Sequence, residues 1–518
     1  MNGLRCVVLL LLAALLDACQ LVTPHPVAPP KAAPTPKPAA YWPTTGWRSS
    51  PPEAYGIDSA KLAEALLTMR GQNINIHSLM VIRDGQVLVD AYLYPYDGST
   101  VHDLASVTKS VMTTLIAIAA DQGKLQLDAP MVSFFPDRTI ANLDARKERI
   151  TVRHLASMAS GLECMGFAQD EGTLRAMQAS PDWVQFALDR PAVAEPGTQF
   201  VYDSPGMHLL SAILQQATGM TALAFAQENL FTPLGIKEVL WESDPQGYTD
   251  GWGDLYLHPR DAAKLGYLWL NQGVWEGRQI VPEAWVEAAQ QVQMQVAERD
   301  DDYGYGWWIT PGEGVYTAAG RGGQYVKVVP WLNVIVTTTG GGFDYEEIDP
   351  LLSASLVDPN HPLPANPEGV AQLETAVAAI VQPPAPQPLA PLPDTAREIT
   401  GKTFVFDANP VELETLSIEF GAAAEATLHF RLAGSDQILS APVGLDGVYR
   451  LSPGDHGLPQ GYRGRWADAQ TFVLEYDNIA NNDHIFYQAQ FKDGRIVLGV
   501  QETAHELGVQ IEGRLQTP

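Results

Sequence analysis

Apolar and polar positions change their spacing several times along the chain, and each change marks an element. Residues 79–88 read Leu-Met-Val-Ile-Arg-Asp-Gly-Gln-Val-Leu, two short β-type runs separated by Asp84-Gly85, a dipeptide suited to a tight hairpin turn. From Val107 to Gln122 the apolar residues return at helical spacing, and Gly123 stops the run. Further helices are expected at 181–188, 207–217, 259–271 and 282–291, with strands at 327–330 and 333–339. A hairpin first, strands last and helices between predict one antiparallel sheet flanked by a helical region. Beyond residue 398 the pattern changes again. Segments 403–407, 416–420, 426–433, 471–476, 485–491 and 495–501 are short, rich in β-branched and aromatic residues, and bounded by turn formers. They predict a small all-β barrel or sandwich.

Proline-rich stretches separate these regions. Pro24, Pro26, Pro29, Pro30, Pro34, Pro36, Pro38 and Pro43 crowd the first, and Pro383-Pro384-Ala385-Pro386-Gln387-Pro388 through Pro393 form the second. Such segments favour extended conformations and cannot build a core. The expected organisation is a leader at 1–19, a linker at 20–43, a large domain at 44–382, a second linker at 383–397 and an all-β accessory domain at 398–518. A chain of 518 residues is too long for one compact core, which agrees with this division.

The leader carries Arg5 and then an apolar run from Cys6 to Leu16, too short to span a bilayer but suited to a secretory signal. It ends in Leu16-Asp17-Ala18-Cys19, which resembles a bacterial lipobox with Cys19 as the lipidated residue, although Asp17 departs from the usual box. Cleavage near Ala18 without lipid is the other reading. Both make the mature protein exported, either anchored to a membrane of the cell envelope through Cys19 or secreted.

Composition narrows the function classes. The apolar share of 46% is ordinary for a globular protein, and 60 acidic against 32 basic residues give a net charge of −28 with no basic stripe, which argues against nucleic-acid binding. The cysteines are Cys6, Cys19 and Cys164, so disulfides are not the means of stabilisation; Cys164 is expected to be a buried, inert thiol.

Ser106-Val107-Thr108-Lys109 is the one Ser-x-x-Lys of the chain, at the start of the apolar helix, where residues three apart share a face. A serine hydroxyl is a weak nucleophile until a neighbouring base takes its proton, and a lysine serves when burial or nearby positive charge lowers its pKa. Taken alone the motif is weak, and a helix start with a solvent-facing lysine fits it equally.

Its surroundings carry more. The stretch from His102 to Ser110, then Gly123-Lys124-Leu125-Gln126-Leu127-Asp128, Ile150-Thr151-Val152-Arg153-His154-Leu155 and Ser160-Gly161-Leu162 resemble the serine β-lactamase and penicillin-binding-protein superfamily. The resemblance continues through Pro196 to Ser204, Leu234-Gly235-Ile236, Trp252-Gly253-Asp254-Leu255, Pro259-Arg260-Asp261 and Tyr303 to Trp308. It is similar above all to the class C and esterase-like branch. It implies an α/β (α+β) serine β-lactamase-like fold: an antiparallel sheet flanked by helices plus a helical subdomain, with the site between them.

Within that resemblance Tyr202-Asp203-Ser204 matches the second element of the family, Tyr-x-Asn or Tyr-x-Ser, and implies that Tyr202 relays the proton. Ser204 would hydrogen-bond Lys109 or substrate. The third element, normally Lys-Thr-Gly or His-x-Gly on the strand lining the site, falls at Gly320-Arg321-Gly322, followed by Gly323 and Gln324. The usual leading cation is missing, and Arg321 either grips a substrate carboxylate or turns away into an ion pair. Gly320, Arg321, Gly322 and Gln324 are expected beside the substrate. The family geometry implies an oxyanion hole from the backbone N–H groups of Ser106 and Gly323.

The implied reaction is two-step acyl transfer on a small-molecule ester or amide through Ser106, with Lys109 and Tyr202 as base machinery and no metal or organic cofactor. A β-lactamase or D-Ala-D-Ala carboxypeptidase-like activity is the alternative, although the missing cation predicts poor β-lactam turnover. A non-catalytic envelope binding protein is a third. His102, His154, His208 and His258 lack metal-ligand spacing and are expected to be structural or on the surface; Asp103 and Glu163 are possible pocket carboxylates.

Overall fold

A computed structural model describes residues 41–297, 299–421, 424–503 and 508–516, the side chains of 166–171 excepted. The leader, Cys6, Cys19 and most of the first proline-rich stretch lie outside the described residues.

The hairpin expected at 79–88 forms as β1 (Ile76–Arg83) and β2 (Gln86–Tyr92), with Asp84 and Gly85 both at positive φ in the turn. Three later strands, β3 (Val315–Gly320), β4 (Gln324–Val329) and β5 (Val334–Gly340), complete the centre of an eight-stranded sheet. In it β5 pairs antiparallel with β1, then β4 with β5 and β3 with β4. Every residue of β1 is buried, because the sheet is covered on both faces. Leu79 and Val81 face one apolar core with helices α1 (Ser59–Gly71) and α5 (Pro367–Ile380), while Met80 and Ile82 face the larger one.

The larger core holds α2 (Val107–Asp121), α3 (Ser204–Thr218) and α4 (Pro259–Leu270). All residues from Val107 to Ala119 are buried, so α2 runs through the interior rather than along a surface. The expected helices at 181–188 and 282–291 form as Trp183–Asp189 and Glu283–Ala289. Helix α1 and α5 gave no expectation: their capping residues Asp58 and Asn366 are local signals, whereas the faces they bury are set by the sheet.

The C-terminal region is all β. Its strands are β6 (Phe404–Phe406), β7 (Leu413–Phe420), β8 (Glu425–Leu432), β9 (Leu439–Gly444), β10 (Arg450–Pro453), β11 (Pro459–Trp466), β12 (Thr471–Asp477), β13 (His484–Lys492), β14 (Arg495–Glu502) and β15 (Gly508–Leu515). The order β9-β8-β7-β6-β15-β14-β13-β12-β11-β10 closes through a β9–β11 pairing, so the sheet is a barrel with β10 outside the ring. Before it, the helix Asp394–Ile399 begins inside the stretch expected to be linker.

The barrel is docked on the larger domain by polar contacts. Asp103 N–H donates to Ala480 O at 2.8 Å, Asn481 Nδ2 to the Tyr256 hydroxyl at 2.9 Å, and Thr503 Oγ1 to Gly341 O at 3.0 Å.

Candidate active site

Ser106 stands immediately before α2, after Ala105, whose φ is +45°. That left-handed backbone is costly for a residue with a side chain and persists only where neighbours over-determine it. Asp103 Oδ1 does so by accepting from Ala105 N–H at 2.9 Å. One turn into the helix, Lys109 is 2% exposed. Its Nζ donates to Ser106 Oγ at 2.7 Å and to Trp252 O at 2.8 Å, so a backbone carbonyl aims the lysine side chain at the serine.

Lys109 Nζ also lies 4.8 Å from the centroid of the Tyr202 ring, which stacks on Trp308 at 6.1 Å and 17°. Asp203 fixes this turn. It caps α3 by accepting from Gly206 N–H at 3.0 Å and takes both Arg190 nitrogens at 2.7 and 3.0 Å, in a pair with both side chains almost fully buried. Ser204 is the first residue of α3 and is buried at the wall of the cavity. The Ser106–Lys109 pair and the Tyr202–Ser204 segment, about 90 positions apart in sequence, therefore converge.

A cavity of about 700 Å³ opens over Ser106. Tyr202, Ser204, Trp252, Asp254 and Trp308 form part of its wall, and Gly320, Arg321 and Gly322 another part. Of the third element only Gly320 lies on a strand; Arg321 to Gly323 form the β3–β4 turn, with φ of +82° at Gly322 and +99° at Gly323. A Cβ at Gly320 would come within 2.9 Å of Ser106 N and 2.6 Å of Leu104 O, so only glycine lets β3 approach the Ser106 turn this closely.

Two placements differ from the sequence expectation. Gly323 is not at the cavity wall; it is buried, and a Cβ there would meet the Phe343 ring at 2.1 Å. The backbone beside Ser106 is that of Gly320, where β3 ends. Gln324 is fully buried and does not line the cavity: its Nε2 donates to Arg321 O at 3.0 Å and Gly340 O at 2.6 Å, and its Oε1 accepts from Gly340 N–H. A side chain that satisfies backbone groups of the β3–β4 turn and of β5 is unavailable to substrate.

Arg321 takes the second of its two expected roles. Nη1 donates to Glu502 Oε1 at 3.0 Å and Nη2 to Asp483 Oδ1 at 3.2 Å, both in the barrel. The barrel also supplies wall: Asn482 and Asp483, between β12 and β13, line the cavity, and Asn482 Nδ2 donates to Asp103 Oδ2. Sequence reasoning missed both, and missed Trp252 as the Lys109 acceptor although Trp252-Gly253-Asp254 stood among the family landmarks.

Buried carboxylates surround the site. Burial, reinforced by the charge of Asp254, pushes Asp103 up to about 7. Burial likewise raises the interacting pair Asp250 and Asp254. Glu163 is exposed and does not line the cavity. Cys164 is half-buried rather than buried, with Sγ donating to Tyr202 O at 3.4 Å. His102 and His208 are fully buried in hydrogen bonds to Asp103 O and Asp244, His154 closes a capping box with Thr151, and His258 pairs with Glu238.

Among curated proteins the chain is 28% identical over 168 residues to monacolin J acid methylbutanoyltransferase of Aspergillus terreus, covering 29% of this chain and 40% of that protein. It is 26% identical to the esterase EstB of Burkholderia gladioli, over 36% of this chain and 53% of the relative. It is 22% identical to the 6-aminohexanoate-dimer hydrolase of Paenarthrobacter ureafaciens, over 50% and 71%. The chain thus spans less than half the length of the first of these and about half of the second. The Beta-lactamase family model matches residues 64–350, a span that contains Ser106, Lys109, Tyr202 and the β3–β4 turn together, and the chain belongs to that family.

Proposed function

We propose that this protein is a serine hydrolase of small esters or amides that works through an acyl-enzyme on Ser106. The observation that carries it is the 2.7 Å contact between Lys109 Nζ and Ser106 Oγ beneath a cavity of about 700 Å³. Ser106 Oγ attacks the substrate carbonyl carbon as its proton passes to the uncharged amine form of Lys109, and the adjacent Tyr202 hydroxyl relays a proton onward by accepting one from Lys109 as it gives up its own. The resulting oxyanion is held by the Ser106 N–H together with a backbone N–H from the end of β3, which the closeness of Gly320 to Ser106 N brings alongside the serine. The proton passes to the leaving alcohol or amine as the carbon–heteroatom bond breaks. Water then attacks the ester of Ser106 and releases the acid. Relatives named as an esterase, a 6-aminohexanoate-dimer hydrolase and a methylbutanoyltransferase support this chemistry.

Substrates without an essential carboxylate fit the cavity better than β-lactams. Glycine stands where the usual leading cation would be, and Arg321 is held between Asp483 and Glu502. The test is a panel of short-chain aryl esters, anilides and a chromogenic cephalosporin. The expected outcome is a kcat/KM for an aryl ester well above that for the cephalosporin; the reverse order would move the function to the penicillin-recognising branch.

The enzyme is further proposed to be exported and held at the cell envelope by lipid on Cys19. The apolar run Cys6–Leu16, the Leu16-Asp17-Ala18-Cys19 box and the proline-rich tether support this. Cys19→Ser should release the protein from the membrane fraction; unchanged membrane association would refute the anchor.

A further inference from the structure

The C-terminal barrel contains a cavity of its own, about 460 Å³, separate from the catalytic cleft. Its walls follow from strand alternation. Leu428, Phe430 and Leu432 of β8 point inward at every second position, as do Phe472, Leu474 and Tyr476 of β12. Space remains because two inward positions are small: Ala441 on β9 and Ala489 on β13. Packed protein interiors leave few voids larger than a water molecule, so an apolar cavity of this size is a departure from ordinary core packing. It falls within the roughly 300–1,000 Å³ of small-molecule sites.

The cavity is a cup. At its floor Phe472 is 1% exposed and rests on the aromatic cluster of Phe420 and Trp466. At the rim Leu432 and Leu439 are each 38% exposed, and Ile438, next to Leu439, is 64% exposed. The few polar liners are neutral apart from one: Ser440, Gln460 and the tyrosines, with Gln460 Oε1 accepting from the Tyr476 hydroxyl at 3.3 Å. The exception is Asp455 at the mouth, and none of the described lining residues is basic. A carboxylate drawn into such walls would be desolvated with no cation to meet it and an anion at the entrance. Asp455 also lines the cleft between barrel and catalytic domain, together with Asp254 and Asp483, so the cup opens close to the catalytic cavity.

We propose that the barrel is a binding site for an uncharged, apolar chain compound, such as a neutral long-chain ester or alcohol, and that it discriminates against the corresponding fatty-acid anion. This assignment does not depend on the activity of Ser106. The test uses the full chain after its nucleophile is blocked with a phosphonate, so that the catalytic cleft is closed to the probe. The uncharged fluorophore 1-aminoanthracene is titrated in and then displaced with methyl dodecanoate, 1-dodecanol and dodecanoate at pH 8. Saturable binding is expected, with the ester and the alcohol displacing the probe at least about ten-fold better than the anion, as the desolvation of a carboxylate requires. Ala441→Phe, which fills the cup, and the rim substitution Leu439→Glu should each weaken the probe by roughly ten-fold or more, while short-ester hydrolysis by the unblocked variants persists. Absence of saturable binding, parental affinity in both variants, or equal displacement by dodecanoate would each overturn the proposal.

Discussion

Asp103, three residues before the serine, accepts a hydrogen bond from Nδ2 of Asn482, which lies 379 positions later in the barrel. One carboxylate thus holds the positive-φ turn at Ala105 with one oxygen and the barrel with the other. The Ser106 turn and the C-terminal barrel line one cavity.

Removal of the barrel therefore has a direct consequence. A chain ending at Pro383 loses Asn482 and Asp483 from the cavity wall and the two barrel carboxylates that pair with Arg321. Its kcat/KM on a short aryl ester should fall by about ten-fold or more, since small misplacements at a reacting centre cost up to about 10²-fold. Activity equal to that of the full chain would show the barrel to be a dispensable accessory.

Asp103 also gives a pH dependence with a definite sign. Its folded value is raised to about 7, so between about 4 and 7 the native state keeps a proton that the unfolded chain gives up. The contribution is present below about pH 4 and is lost as pH rises through about 7. Chemical denaturation across this window should show stability falling with pH. The slope should be shallower in Asp103→Asn, which retains an acceptor for Ala105 N–H. An identical slope in the variant would place the effect elsewhere.

If Tyr202 relays the proton, Tyr202→Phe keeps the stack on Trp308 and removes only the hydroxyl. A fall in kcat of about 10²–10⁴-fold is expected, the usual scale of acid–base catalysis, with unchanged melting temperature. Near-normal turnover would leave the tyrosine a packing residue.

The pair of Arg190 and Asp203 is structural, and its loss should appear as instability. Both side chains are nearly excluded from solvent, so Arg190→Met strands a buried carboxylate. Denaturation should register a loss of roughly 3–5 kcal/mol, the range for removing one partner of a buried pair. A change below about 1 kcal/mol would mean that the pair contributes as weakly as a surface one.

What the sequence disclosed was chiefly local. The Asp84-Gly85 hairpin, the helix from Val107 and the alternating barrel strands are written in neighbouring residues, where turn chemistry and periodicity act. The convergence of Ser106, Lys109 and Tyr202 followed from family order rather than from spacing. The run of glycines at 320, 322 and 323 does not reveal which one lies against Ser106; the end of β3 brings Gly320 there and leaves Gly323 away from the cavity wall. Gln324 reads as a polar residue of the motif, and only the packing of β4 against β5 turns its amide inward. Asn482 gave no signal at all, since its partner Asp103 belongs to another domain. The strands β9 and β11 were equally hidden: Pro442 and Pro459 argue against strands, yet both are tolerated in this barrel.

The central claim is that Ser106 is the residue acylated, aimed by Lys109 at 2.7 Å. The most direct measurement is peptide mass spectrometry of the protein after reaction with a fluorophosphonate. The account predicts one adduct, on the peptide containing Ser106, and none in Ser106→Ala. Labelling that persists in Ser106→Ala, or an adduct on a different serine, would contradict it.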